Sequence, residues 1–302
     1  MTALLWLLLC APAHASWFRG DSHALEAPRR LFEAGRYEQV LSNLGGAAIG
    51  RLSGSEQKQA YLYLGLAQER LGHIDKALGV YQLGVRLFPA DINLLTQLGL
   101  LLHRSGLEQQ AEPLFRKVLS LHPNNSVAHL GLAEIDHALG FFDRSAEHYD
   151  KALETMPDNA AVWRDYSEAL LSARDYMTAE LAARKSLSLA DDNGARVDLA
   201  RAQRGAGRLD EALATLASAS AAVPARQEIA ATRALWLLEV SRYDEALAAA
   251  EALLKASEPP VLAYWVRARV RLKQDQYRSA VEDLRRVAAA ERKSPFCSEA
   301  AS

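Results

Sequence analysis

Glu134 and His137 stand three residues apart in a run free of proline, the Glu-x-x-His spacing by which helical bundles hold paired metal ions. Such a centre needs the motif twice and two further carboxylates. No second copy follows, so the pair reads as two polar residues on a helix surface. The remaining histidines, among them His103, His129 and His148, show no His-Glu-x-x-His or other clustered ligand spacing. Gly205-Ala206-Gly207 lacks the third glycine of a dinucleotide loop and follows a helical stretch, not a strand. No Gly-x-Ser-x-Gly occurs, and Cys297 sits in a polar tail without the local signature of a nucleophile. No catalytic set, metal or cofactor is therefore expected, and a metal- or cofactor-carrying protein stands only as an alternative without a ligand set. Asn124-Asn125-Ser126 matches a glycosylation acceptor, yet its place between two helical runs suits Asn125 better as a helix cap.

Helices must carry all of these residues. Alanine and leucine dominate the 302-residue chain, aromatics make up 7% and prolines number only 10, so long helices are allowed and strands poorly supported. A formal charge of -2 gives no global attraction to nucleic acid or to an anionic membrane. The pattern is periodic. Tyr61, Leu64, Gly65, Gly72, Ala77, Tyr81, Gly84 and Pro89 return as Leu95, Leu98, Gly99, Gly106, Ala111, Phe115, Val118 and Pro123. A third pass gives His129, Leu132, Ala133, Gly140, Ser145, Tyr149, Ala152 and Pro157. The phase continues through Trp163, Tyr166, Tyr176 and Ala179, through Leu199, Ala200, Gly207, Ala212, Ala219 and Pro224, and through Ala234, Tyr243, Ala246 and Leu253. It closes with Tyr264, Ala268, Tyr277, Ala280 and Val287.

Each slot has a physical task. Small residues such as Gly65, Gly99, Ala133, Ala77, Ala111 and Ala212 belong where two helices cross closely, and Tyr81, Phe115 and Tyr149 fill the space between neighbouring pairs. Gly72, Gly106, Gly140 and Gly207 suit a left-handed position closing the first helix of a pair, and the prolines end the second.

This fixed order resembles the tetratricopeptide repeat, whose period is about 34 residues. The resemblance implies an all-α fold, a right-handed α-solenoid of about eight helix-turn-helix units. A degenerate first repeat and linker over 16–57 precede the array over 58–290, with repeats near 58–91, 92–125, 126–159, 160–192, 193–226, 227–260 and 261–290. A polar tail follows over 291–302, leaving 281–290 to serve as the cap. Pro28 falls inside the first helix and is expected to break or kink it. Gly45 to Gly54 is expected to be a small-residue connection.

At the amino terminus, Ala3 to Cys10 is apolar and Ala13-His14-Ala15 has the Ala-x-Ala form, which predicts a secretory signal peptide over 1–15 and a periplasmic or secreted chain. Only the terminal amine of Met1 supplies positive charge before the apolar run. Cys10 leaves an outer-membrane lipoprotein as an alternative, and a misread leader would leave a cytoplasmic adaptor or co-chaperone. With the leader removed, Cys297 is the one cysteine and no internal disulfide forms.

By the same resemblance the binding groove is lined by the first helix of each pair. Carried over residue by residue, it takes in Glu69, Arg70, Asn93, Thr96, His103, Arg104, Glu134 and His137. It continues with Arg164, Glu168, Arg201, Arg204, Glu228, Glu239, Trp265, Arg269 and Lys273. The positions at which chaperone-associated relatives place a carboxylate clamp hold Leu62 and Leu66, Thr96 and Leu100, and Leu130 and Glu134, so no Hsp70- or Hsp90-type partner is expected. These leucines either give the groove an apolar floor or pack against the adjacent helix. The implied function is a non-catalytic scaffold of a bacterial cell-envelope assembly, serving pilus, secretion or polysaccharide export. It takes a protein or peptide partner, without nucleic acid, in association with a membrane-bound assembly.

Overall fold

The computed structural model describes residues 23–218 and 223–291, so the expected leader, Cys10, Ala219 and Cys297 lie outside the described residues. Those residues form sixteen α-helices and no strand. In order they are α1 (His23–Glu33), α2 (Tyr37–Leu44), α3 (Gly54–Arg70), α4 (Ile74–Leu87), α5 (Ile92–Arg104), α6 (Glu108–Leu121), α7 (Ser126–Ala138) and α8 (Phe142–Leu153). There follow α9 (Ala160–Ser172), α10 (Tyr176–Leu189), α11 (Asn193–Gly205), α12 (Leu209–Ala217), α13 (Val223–Glu239), α14 (Tyr243–Leu253), α15 (Val261–Lys273) and α16 (Tyr277–Glu291). The chain divides into two compact units, Met1–Ala173 and Arg174–Ser302. Within each, a helix packs against its successor and pairs stack on pairs, the all-α solenoid arrangement.

Polar caps start the first helices. Ser53 and Glu56 form a reciprocal capping box on α3, the Ser53 amide donating to the Glu56 carboxylate at 2.7 Å. Asp91 accepts from the Leu94 amide at 3.0 Å and Asn125 from the Ala128 amide at 2.9 Å; Asn159 and Asp192 cap α9 and α11 in the same way. Left-handed residues stop them. Gly72, Gly106, Gly140 and Gly207 have φ between 71° and 81°, and in the equivalent turns Arg174, Ser241 and Asp275 adopt φ of 64°, 63° and 60°.

Three expectations change. α1 runs unbroken through Pro28, whose ring is compatible with helical φ and forfeits only one backbone bond. The connection after α2 is not merely a loop, since Gly46–Arg51 winds into a 3₁₀ helix and Gly54 already opens α3. Pro224 does not end α12, which stops at Ala217. It is the second residue of α13, where the missing N–H has no helical acceptor to lose.

Interlocking of small and aromatic residues fixes the stacking. A Cβ on Gly65 would lie 2.1 Å from the Tyr81 ring, and one on Gly205 would lie 2.3 Å from Tyr176. Phe115, fully buried, is approached by Gly99 of its own pair and by Gly131 of the next. The second unit is built around Ala212, Leu213, Leu216, Trp236, Leu237, Val266 and Val270.

Candidate functional site

First helices of consecutive pairs touch one another: α1 meets α3, α3 meets α5, α5 meets α7, and α13 meets α15. Side chains near their C-terminal ends are thereby brought side by side. Arg104 of α5 donates to the Glu69 carboxylate of α3, and the other oxygen of that carboxylate accepts from the buried Tyr81 hydroxyl at 2.6 Å. Burial and the Glu69 charge together raise the Tyr81 pKa far above its ordinary value. His103 lies between two carboxylates, its Nδ1 2.6 Å from Glu108 of α6 and its Nε2 2.9 Å from Glu134 of α7. Burial opposes a charge on His103, but the bonds to Glu134 and Glu108 outweigh it and raise the pKa.

The Glu-x-x-His pair is divided between neighbours. Glu134 turns back to His103, whereas His137 reaches forward to the Ser172 hydroxyl of α9 at 3.3 Å. In the second unit Arg204 of α11 bonds Glu239 of α13 at 2.5 Å, its guanidinium lying 4.8 Å from the Trp236 ring centre. Three of these rungs, Glu69 to Arg104, His137 to Ser172 and Arg204 to Glu239, join residues 35 apart. They link position twelve of one repeat to position thirteen of the next. The expected groove residues are therefore largely one another's partners, a pairing hidden from any scan that treats them one repeat at a time. A search for opposite charges one residue beyond the period would have found two of the three.

The remaining groove residues differ in access. Arg70, Glu168, Arg201, Glu228, Arg269 and Lys273 are exposed, while Asn93, Arg164 and Trp265 are half-buried. Arg164 and Arg201 each bond an aspartate of their own helix, Asp165 at 3.0 Å and Asp198 at 3.3 Å. Thr96 departs from expectation: at 4% exposure it sits in the helix interface, its hydroxyl without a hydrogen-bond partner, and it cannot line a groove. The choice left open for the leucines falls to packing, because Leu62, Leu66, Leu100 and Leu130 are all buried. An apolar floor built from them is thus excluded.

A second titratable group lies on the α7–α8 pair. His129 Nε2 donates to the Pro123 carbonyl at 2.9 Å, so in the neutral ring Nδ1 is an acceptor and His148 Nδ1, 3.0 Å away, must donate. Burial lowers both pKa values, that of His148 to about 4 with help from His129, Arg116 and Arg144. Burial raises the carboxyl pKa of nearby Asp136, which pairs with Arg144 at 2.9 Å. Among the described residues no three His, Cys, Asp or Glu side chains converge as a metal site, and no helix is long and apolar enough to cross a membrane.

Profiles of the tetratricopeptide repeat match residues 25–92, 130–195 and 231–295, and a second such profile matches 92–125. A tetratricopeptide repeat protein from Parabacteroides merdae superposes with a TM-score of 0.59 at 21% identity, covering 80% of this chain and 96% of that one. MamA from Desulfovibrio magneticus RS-1, from residue 41 onward, gives a TM-score of 0.50 at 18% identity over 54% of this chain and 92% of that one. Both are likenesses of fold. The BBSome complex member BBS4 of Bos taurus is 27% identical over 119 residues, 39% of this chain but only 23% of that protein's length.

Proposed function

The chain belongs to the tetratricopeptide repeat family, whose arrays are protein-interaction scaffolds, and from that premise we propose that it is a non-catalytic adaptor of a bacterial cell-envelope assembly. One observation supports the reading most directly: within each unit neighbouring first helices touch and set their polar side chains side by side. Within a unit such a face offers an extended peptide a series of hydrogen-bonding and charged groups from neighbouring repeats. The contacts would come from Arg70, Asn93, His103, Arg104, Glu134, His137, Arg164 and Glu168 in the first unit. In the second they would come from Arg201, Arg204, Glu228, Glu239, Trp265, Arg269 and Lys273. The Ala-x-Ala pattern before Ser16 supports export, and with it a partner in pilus, secretion or polysaccharide-export machinery.

The test is residue-resolved cross-linking in the native host, after separation of periplasmic from cytoplasmic contents. Cross-links from one envelope component concentrated on α3, α5, α7, α11, α13 and α15, and reduced by Arg201→Glu, are the expected result. Cross-links confined to α4, α6, α8 and α14 would remove the groove assignment. Recovery of the protein only in the cytoplasm would remove the envelope role.

A further inference from the structure

Helix α15 carries Arg267, Arg269, Arg271 and Lys273 and no acidic residue. Its cations divide into two sets. Arg267 and Arg271 converge on Asp283 of α16, Arg267 with two bonds of 2.9 and 2.6 Å and Arg271 with one of 2.9 Å, and Asp283 is 2% exposed. Arg269 and Lys273 are exposed, and no carboxylate among the described residues comes within 4.0 Å of either. Lys273 does line a cleft of 290 Å³ with Asp244 and Glu245, but Glu245 is held by Arg242 at 2.7 Å, and Asp244 does not come within 4.0 Å of the Lys273 ammonium.

The missing partner follows from the repeat register. At three other junctions position thirteen of a first helix meets position twelve of the preceding one, as Arg104 meets Glu69, Ser172 meets His137 and Glu239 meets Arg204. For Lys273 the equivalent residue is Leu238, which cannot accept a hydrogen bond. Arg201 and Arg204, by contrast, are compensated by Asp198 and Glu239. Among the described residues Arg269 and Lys273 thus have no ion-paired carboxylate and stand on one face in line with Trp265, because residues 265, 269 and 273 are each four apart. Arg269 lies 5.5 Å from the Trp265 ring centre.

We propose that the Trp265, Arg269 and Lys273 face of α15 docks an extended acidic peptide segment of a protein partner, with two carboxylates at alternate positions and an apolar side chain at the next alternate position. Spacing carries the match: four helical residues rise about 6 Å, and two residues of an extended chain advance about 6.6 Å. One carboxylate meets Lys273, the second meets Arg269, and the apolar residue lies on the indole. Two cations on one helix face are too few to follow a polyphosphate backbone, and the chain as a whole carries a charge of -2, which disfavours nucleic acid. The proposal rests on the scaffold reading and names the chemistry of one of its contacts.

The probe is a fluorescein-labelled peptide with phenylalanine, glutamate and glutamate at alternate positions and serine and glycine between, titrated by anisotropy into the full chain at low salt. Arg269→Glu, Lys273→Glu and Trp265→Ala should each weaken binding by about tenfold, while Arg116→Glu on α6 should not. Equal binding by the wild type and by Arg269→Glu overturns the site. So does stronger binding of an oligothymidylate or a heparin fragment that the same substitutions abolish. A random 16-residue peptide display library panned on the full chain separates the two readings. Enriched peptides indifferent to Arg269→Glu overturn this site alone, and no enriched peptide overturns the scaffold reading with it.

Discussion

Replacing Gly65 by alanine tests the interlocking of the array at one atom. The added Cβ would lie 2.1 Å from Tyr81 Cε1 and 2.4 Å from Cζ, so the ring must retreat by more than an ångström. Tyr81 is fully buried, so in a close-packed interior the ring retreats only by displacing its neighbours. Its hydroxyl would move off Glu69, the acceptor that also holds Arg104 of the next pair. Overpacking costs about 1–3 kcal/mol, and loss of a hydrogen bond to a charged acceptor about 1.5–3 kcal/mol. Alanine's better helix propensity returns about 1 kcal/mol. A net loss of about 3 kcal/mol is expected, read as a lower urea midpoint. Gly79→Ala in α4 is the control, since a Cβ there meets nothing within 4 Å and only the propensity gain remains. Combining Gly65→Ala with Tyr81→Phe should reduce the penalty of the first change to its overpacking part, the coupling expected of touching residues. Gly65→Ala as stable as Gly79→Ala would refute the close crossing and the Tyr81–Glu69–Arg104 relay with it.

Acidification should weaken the α7–α8 pair. His148 titrates at about 4 in the fold against about 6.5 unfolded, so its contribution is complete above the unfolded value and is lost as pH falls from there toward about 4. The non-titrating donor variant His148→Gln should gain on the wild type by about 2 kcal/mol between pH 7.5 and 4.5; parallel urea profiles would show that His148 is not the group responsible. His103 runs the other way, its raised pKa giving stability that is present at low pH and lost as pH rises through the folded value, so His103→Gln should flatten the alkaline side instead. Asp283→Asn leaves Arg267 and Arg271 without their counter-charge and should cost about 3 kcal/mol in thermal or urea unfolding. A loss below about 1 kcal/mol would place that cluster with ordinary surface pairs.

The repeat and its phase were legible because they depend on residue size and backbone conformation. Only glycine fits at Gly65 against Tyr81, and the positive φ at Gly72 favours glycine, so both mark the sequence, although Arg174, Ser241 and Asp275 take the same turn without it. Side-chain partners were legible only as opposite charges one residue beyond the period, at Glu69 and Arg104 and at Arg204 and Glu239. Glu69, Arg104, His103 and Glu134 read as groove contacts because a sequence gives the helix face but not the rotamer that turns one residue toward its counterpart. Leu62 and Leu130 were ambiguous for a related reason: a leucine at the edge of an apolar stripe serves a floor or an interface equally until the adjacent helix is in place. Pro28, inside an unbroken α1, and Pro224, in the first turn of α13, show that a proline restricts a helix without dictating that the helix ends there.

The seating of Phe115 bears on how such a chain can grow. Its ring closes on Gly99 in its own pair and on Gly131 in the following one. A tandem copy of residues 92–125 would set Gln97, not a glycine, opposite the first Phe115, and the ring would have no second seat. A segment that begins with α6 and ends with α7 keeps the Gly131 seat and sets Ala133 of α7 in the place of Gly99, where an added Cβ comes within 2.9 Å of the ring against 2.5 Å at Gly131. Duplications or grafts of this region cut inside the helix-turn-helix unit should therefore be tolerated better than those cut between units, because they set alanine and not glutamine against the ring.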